Sequence, residues 1–152
     1  MSLQEVQDLC IEILAKGPDI AEADSWSNST RPSGLVITYS SGARLWTALT
    51  TAGAIASDRA RTDPAPAAPP VPALYDSAGK ISPRRAELHL AAALMGGHTP
   101  EITSAYAYAN PARHPGVGLF LADGSRAFLP FVSTAASGKN PARSPFTIDA
   151  AF

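Results

Sequence analysis

Near the start of the chain, hydrophobic residues return at steps of three and four. Leu3, Val6, Cys10 and Ile13 fall on one stripe of SLQEVQDLCIEILAKG, while Glu5, Asp8 and Glu12 fall on the other side. That period predicts an amphipathic helix with its acidic side chains solvated. Ser2 and Glu5 have capping-box spacing, and Gly17-Pro18 supplies the stop. A second helix is predicted in SPRRAELHLAAALMGG. There Ser82 is the cap, Pro83 takes the first helical position, and Gly96-Gly97 ends the element.

Elsewhere the period is two. In ITSAYAYA, Tyr106 and Tyr108 share one face, as in a half-buried strand, although Thr99-Pro100-Glu101 also resembles a helix start. YSSGARLW (39–46) and LADGSRAF (121–128) both place Gly between extended apolar runs, with Arg two residues on. Each reads as a hairpin whose turn needs a residue tolerant of positive φ. Pro130 argues against a helix after the second hairpin and suits a strand edge. After the first, the Ala-rich run predicts a short helix from about Ala48 to Ser57.

Shifting the chain by 82 positions lays Pro18–Leu49 on Pro100–Phe131 without a gap. Identities include Asn28/Asn110, Arg31/Arg113, Gly34/Gly116, Gly42/Gly124 and Arg44/Arg126, and Trp26/Tyr108 and Trp46/Phe128 are similar pairs. In the helices, one inserted residue near His98 matches Leu9, Ile13 and Leu14 to Leu90, Leu94 and Met95. Matches this dense argue for tandem duplication. The expected fold is α+β: two helix–strand–hairpin units form a pseudo-twofold, two-layer domain, with two helices on a mostly antiparallel sheet of four to six strands. One unit is too small to bury its own sheet face, so the second completes the core. The expected core includes Leu35, Ile37, Tyr39, Leu45, Leu119, Leu121, Leu129 and Phe131.

The expected organisation is one domain over 1–152, with units at 2–49 and 82–132. A Pro/Ala-rich connector lies at 50–81 and an irregular arm at 133–152. Within the connector, TDPAPAAPPVP reads as a polyproline-type spacer. The final FTIDAAF has apolar residues suited to docking on the core.

Composition narrows the class. Charged residues make up 16% against 45% hydrophobic, a neutral surface that favours a partner or self-association. The formal net charge is −1, with an acidic excess in residues 1–30 and a basic excess in 77–152. A large basic footprint for nucleic acid is missing. Arg outnumbers Lys, and Ala and Pro are abundant, as in proteins of GC-rich bacterial genomes. Cys10 is the single cysteine, the start has no basic, apolar signal pattern, and no apolar run reaches membrane-span length. These features predict a cytoplasmic protein.

No catalytic set emerges. Cys10 belongs to a core stripe, the serines lie in turns and caps, and His89, His98 and His114 lack zinc-ligand spacing. Gly116 and Gly118 in HPGVGLF are not followed by the Lys and Ser/Thr of a phosphate loop. No cofactor or metal is expected. The candidate partner-binding residues are therefore polar and aromatic positions occurring in both halves: Asn28, Asn110, Arg31, Arg113, Arg44, Arg126, Trp26 and Tyr108. Asn suits left-handed turns, and Arg stacks on aromatic rings while bonding loop carbonyls, so turn and packing chemistry alone also accounts for them. A pseudo-twofold would bring the four Arg side chains toward one surface suited to carboxylates or phosphates.

The first functional expectation is a non-enzymatic bacterial binding or assembly protein, acting through protein partners or self-association, with a mobile element as candidate source. The alternative is a nucleic-acid accessory protein that stacks bases on Trp26, Tyr106 and Tyr108. A further alternative is an enzyme with His98, Glu101, Tyr106, Tyr108 and His114 in the Gly97–Gly118 loop.

Overall fold

The computed structural model describes residues 2–27, 33–52, 73–97, 99–108, 114–136 and 152. It is an α+β fold, with two helices packed on an antiparallel sheet.

Helix α1 spans Leu3–Ala15 and α2 spans Pro83–Gly96. The Ser2 hydroxyl accepts from the Glu5 amide while the Glu5 carboxylate accepts from the Ser2 amide at 2.7 Å. Ser82 caps α2 with its hydroxyl alone, accepting from the Arg85 amide at 3.2 Å. The two capping residues, Ser2 and Ser82, lie 80 positions apart. Val6, Gln7, Cys10, Ile13 and Leu14 are buried, and so are Ala86, Glu87, Leu90, Ala93 and Leu94. Of the expected helix pairs, Ile13 and Leu94 are both buried, whereas Leu9 against Leu90 and Leu14 against Met95 each set a half-buried residue against a buried one. Leu9 and Met95 only flank the core.

The strands are β1 (Ile20–Trp26), β2 (Gly34–Tyr39), β3 (Arg44–Ala48), β4 (Thr50–Ala52), β5 (Ile102–Ala107), β6 (Gly116–Leu121) and β7 (Arg126–Ala135). Their order is β1-β2-β3-β7-β6-β5, with β4 also on β7, and every ladder is antiparallel. The hairpins β2–β3 and β6–β7 turn at Gly42 (φ 93°) and Gly124 (φ 88°), left-handed conformations that glycine adopts without strain. The turn bonds match as well: Tyr39 N–H donates to Ala43 C=O at 2.8 Å, and Leu121 N–H to Ser125 C=O at 2.9 Å. A register shift falls between Ile20 and Glu22, and another between Ile102 and Ser104.

The sheet exceeds the expected four to six strands by one, β4, and β7 is longer than expected, because two stretches read as non-sheet take part in pairing. Thr50–Ala52, within the expected connector at 50–81 and the expected helix at 48–57, pairs with Arg126–Phe128 as β4. Cross-strand pairing here overrides the helix propensity of the Ala-rich run. Residues 53–57 lie outside the described residues. The strand also runs past the expected arm boundary at 133, because Ser133, Thr134 and Ala135 pair with Trp46, Leu45 and Arg44.

Pro130 sits on no edge: it lies in the central strand β7, opposite Gly116 of β6. N–H directions alternate along a strand, and the Phe131 N–H points to Pro115 C=O. The donor that Pro130 lacks would therefore point toward Ala48 at the end of β3, which the register between Thr47↔Phe131 and Thr50↔Phe128 places opposite it.

One face of the sheet meets the helices. Its residues Leu35, Ile37, Tyr39, Leu45, Leu119, Leu121, Leu129 and Phe131 are all buried, as expected, in one cluster with the helix stripes. Phe152 joins them, exchanging backbone hydrogen bonds with Ile81 at 2.7 and 2.8 Å. The spacer TDPAPAAPPVP and the rest of FTIDAAF lie outside the described residues. No helix among the described residues is long and apolar enough to cross a membrane.

Candidate functional site

Because side chains alternate across a pleated sheet, residues between the core positions point away from the helices. On this second face stand Trp26, Val36, Arg44 and Trp46 from the first half, and Tyr106, Tyr108, Phe120, Arg126 and Phe128 from the second. All are half-buried. In place of a helix layer the face carries aromatic rings lying over glycines. A Cβ on Gly34 would meet Trp26 Nε1 at 2.7 Å, one on Gly116 would meet Tyr108 Cε2 at 2.5 Å, and one on Gly118 would strike the Tyr106 ring. Gly116 and Gly118 are thus seats for tyrosines.

Polar contacts hold the rings. Trp26 Nε1 donates across β2 to the Thr47 carbonyl at 2.9 Å. The Tyr106 centroid lies 5.4 Å from Phe120 and 6.2 Å from Tyr108, in tilted contacts that aromatic quadrupoles favour. Burial, reinforced by the neighbouring Tyr106 and Glu87, pushes the Tyr108 hydroxyl up to about 12 and keeps it protonated at neutral pH.

Arg44 and Arg126 take corresponding places but choose different rings. The Arg44 guanidinium sits 5.1 Å from the Trp46 centroid, two residues along its own strand. Arg126 sits 4.9 Å from Phe120, its cross-strand partner. At these separations cation–π attraction contributes about 0.5–2 kcal/mol per stack.

The candidate residues do not converge. Arg44 pairs with Ala135, at the far end of β7 from Arg126. At ~3.3 Å per residue, β7 separates the two Arg positions by up to roughly 30 Å of strand. Trp26 and Tyr108 occupy opposite edges, since β1 and β5 are the outermost strands. Asn28, Asn110, Arg31 and Arg113 lie outside the described residues.

The loop considered for catalysis is also dispersed. Glu101 precedes β5 and Tyr108 follows it, ~23 Å apart along an extended strand. His114 Nε2 donates to the Phe131 carbonyl, and His98 lies outside the described residues. Among the described residues no three His, Cys, Asp or Glu side chains gather as metal ligands. Cys10 is buried in the core, which pushes its thiol up to about 12.

Two polar residues were missed in the sequence. Gln7 and Glu87 are buried at corresponding helix positions, and each grips the start of a hairpin strand. Gln7 Nε2 donates to Gly34 C=O at 2.8 Å, and the Glu87 carboxylate accepts from Gly116 N–H at 3.0 Å. Their signal was available, a polar residue beside Val6 in one stripe and beside Ala86 in the other.

No family model, curated protein or solved structure matches this chain.

Proposed function

We propose that the chain is a tandem duplication of a helix–strand–hairpin unit, closed about a pseudo-twofold axis. We further propose that it serves a bacterial cell as a non-enzymatic binding or assembly protein. Three correspondences support the duplication: the 82-residue spacing of turns and register shifts, the 80-residue spacing of caps and buried polar residues, and the palindromic strand order. The partner is a protein, or a second copy of this chain, received on the sheet face away from the helices.

The observation that carries this reading is the pair of Arg–aromatic stacks at opposite ends of that face. Arg and aromatic side chains are enriched at protein interfaces, where a weakly hydrated guanidinium is desolvated at little cost. Base stacking is less well served, because the guanidinium groups lie against Trp46 and Phe120, and the net charge of −1 adds no general attraction for phosphates.

Arg44→Ala combined with Arg126→Ala tests the proposal. The double variant should stay folded, losing no more than the roughly 1–4 kcal/mol that the two stacks supply. Either the assembly seen by light scattering or the protein partner retained in affinity capture should be lost in the double variant. A strictly monomeric protein that holds no partner through these residues would overturn it. So would steeply salt-dependent binding to single-stranded DNA or RNA that the double variant abolishes, which would assign the face to nucleic acid instead.

A further inference from the structure

A cleft of about 680 Å³ lies on the opposite side of the molecule, between the C-terminal ends of α1 and α2 and the approach to β5. Its floor is apolar, formed by Leu9, Ile13, Ala92 and Ala93, and its rim carries Glu12, Lys16 and Glu101. That size falls in the range of small-molecule sites rather than protein-docking surfaces.

Among the described residues the charged side chains of the rim are two carboxylates and one ammonium. Two helices end at the cleft, and each C-terminus carries roughly half a negative charge, while the Ile13, Leu14 and Met95 carbonyls already accept from the Lys16, Gly17 and Gly97 amides. Neither helix has a basic residue in its last turn. Lys16, the cap residue of α1, stands 3.9 Å from Glu12, so those side chains largely offset one another. Glu101 then supplies the net side-chain charge. Its carboxylate accepts from the Thr99 hydroxyl, a bond that holds it below the usual carboxylate range.

We propose that this cleft binds a small organic cation with an apolar body, such as an alkylammonium or alkylguanidinium. The aliphatic part would lie on the Leu9–Ile13–Ala92–Ala93 floor, and the cationic head would donate to the Glu101 carboxylate within the negative field of the two helix C-termini. This site is independent of the sheet face proposed for protein contact.

Titration of n-hexylammonium, n-hexanol and hexanoate, followed by amide chemical shifts, tests the proposal. Hexylammonium should bind with Kd near or below about 1 mM, shifting Gly17, Gly96, Gly97 and Glu101. Hexanol and hexanoate should bind at least about tenfold more weakly. Glu101→Gln should lose about tenfold for the cation and little for hexanol. Gly96 has open space where a Cβ would stand, so Gly96→Trp can be accommodated and should block binding while amide dispersion is retained. Equal binding of all three probes would reveal an apolar crevice without charge preference and overturn the proposal. Failure of hexylammonium to shift these amides at 10 mM would do the same. Binding of a Leu-Lys-Leu peptide more than tenfold tighter than hexylammonium would reassign the cleft to a protein segment.

Discussion

His89 shows how one side chain can tie the halves together. It lies on α2 in the second half, yet its Nε2 bonds the Pro18 carbonyl of the first at 2.7 Å. The carbonyl can only accept, so Nε2 carries the proton, and Nδ1 is buried without a partner among the described residues. The Tyr39 ring packs edge-on against it, 6.0 Å between centroids. Burial lowers the His89 pKa, against smaller opposing effects from Pro18 and Asp19. A base whose folded pKa is depressed binds its proton more readily in the unfolded chain. Its contribution to stability is therefore complete above about pH 6.5 and declines as pH falls toward the folded value. Melting temperature should drop between pH 7 and pH 5, and His89→Gln should flatten that drop. An unchanged slope in the variant would assign the pH dependence to other groups. The sequence offered His89 only as one of three histidines with poor metal spacing. Its role depends on a residue 71 positions away, which no local pattern encodes.

At the scale of elements, the helices and hairpins were legible because their signals are local. Capping spacing, the three-and-four period and the Gly-centred turns each lie within a few residues. The extra pairing on β7 was not, since Thr50–Ala52 becomes strand by pairing with Arg126–Phe128, and Ser133–Ala135 by pairing with Arg44–Trp46. The aromatic layer was half legible: the Tyr106/Tyr108 alternation predicts a shared face, but not that glycines on the adjacent strand make room for the rings. This gives a sharp expectation for Gly118→Ala. The new methyl group would strike the Tyr106 ring, so the variant should lose about 1–3 kcal/mol in chemical denaturation. Combining it with Tyr106→Ala should recover part of that loss. Destabilisation within about 0.5 kcal/mol, typical of an ordinary surface substitution, would show that the ring is not held there.

For the whole molecule, the central ladder decides how the halves depend on one another. The strand pair β3–β4 and strand β7 complete each other's backbone hydrogen bonds, and Leu45 and Phe131 lie in the same cluster. A half expressed alone would leave its innermost strand unpaired and bury too little apolar surface for stability. Residues 1–52 and 73–152, made separately, should fold only as concentration rises and a second strand becomes available. Mixing them should restore the dispersion of the intact chain. A fragment that is folded and monomeric at low micromolar concentration would contradict this dependence. The candidate site follows the same division. Arg44, Arg126, Trp26 and Tyr108 could be picked out because they recur, but recurrence is silent about distance. The antiparallel meeting of β3 with β7 sends the two arginines to opposite ends of one face instead of into one pocket. By itself the sequence determined what short-range chemistry controls: where the helices cap, where the chain turns, and which residues alternate inward. The tertiary structure alone decided which strands meet, which polar groups are buried and where the cleft opens, because these depend on contacts between residues far apart along the chain.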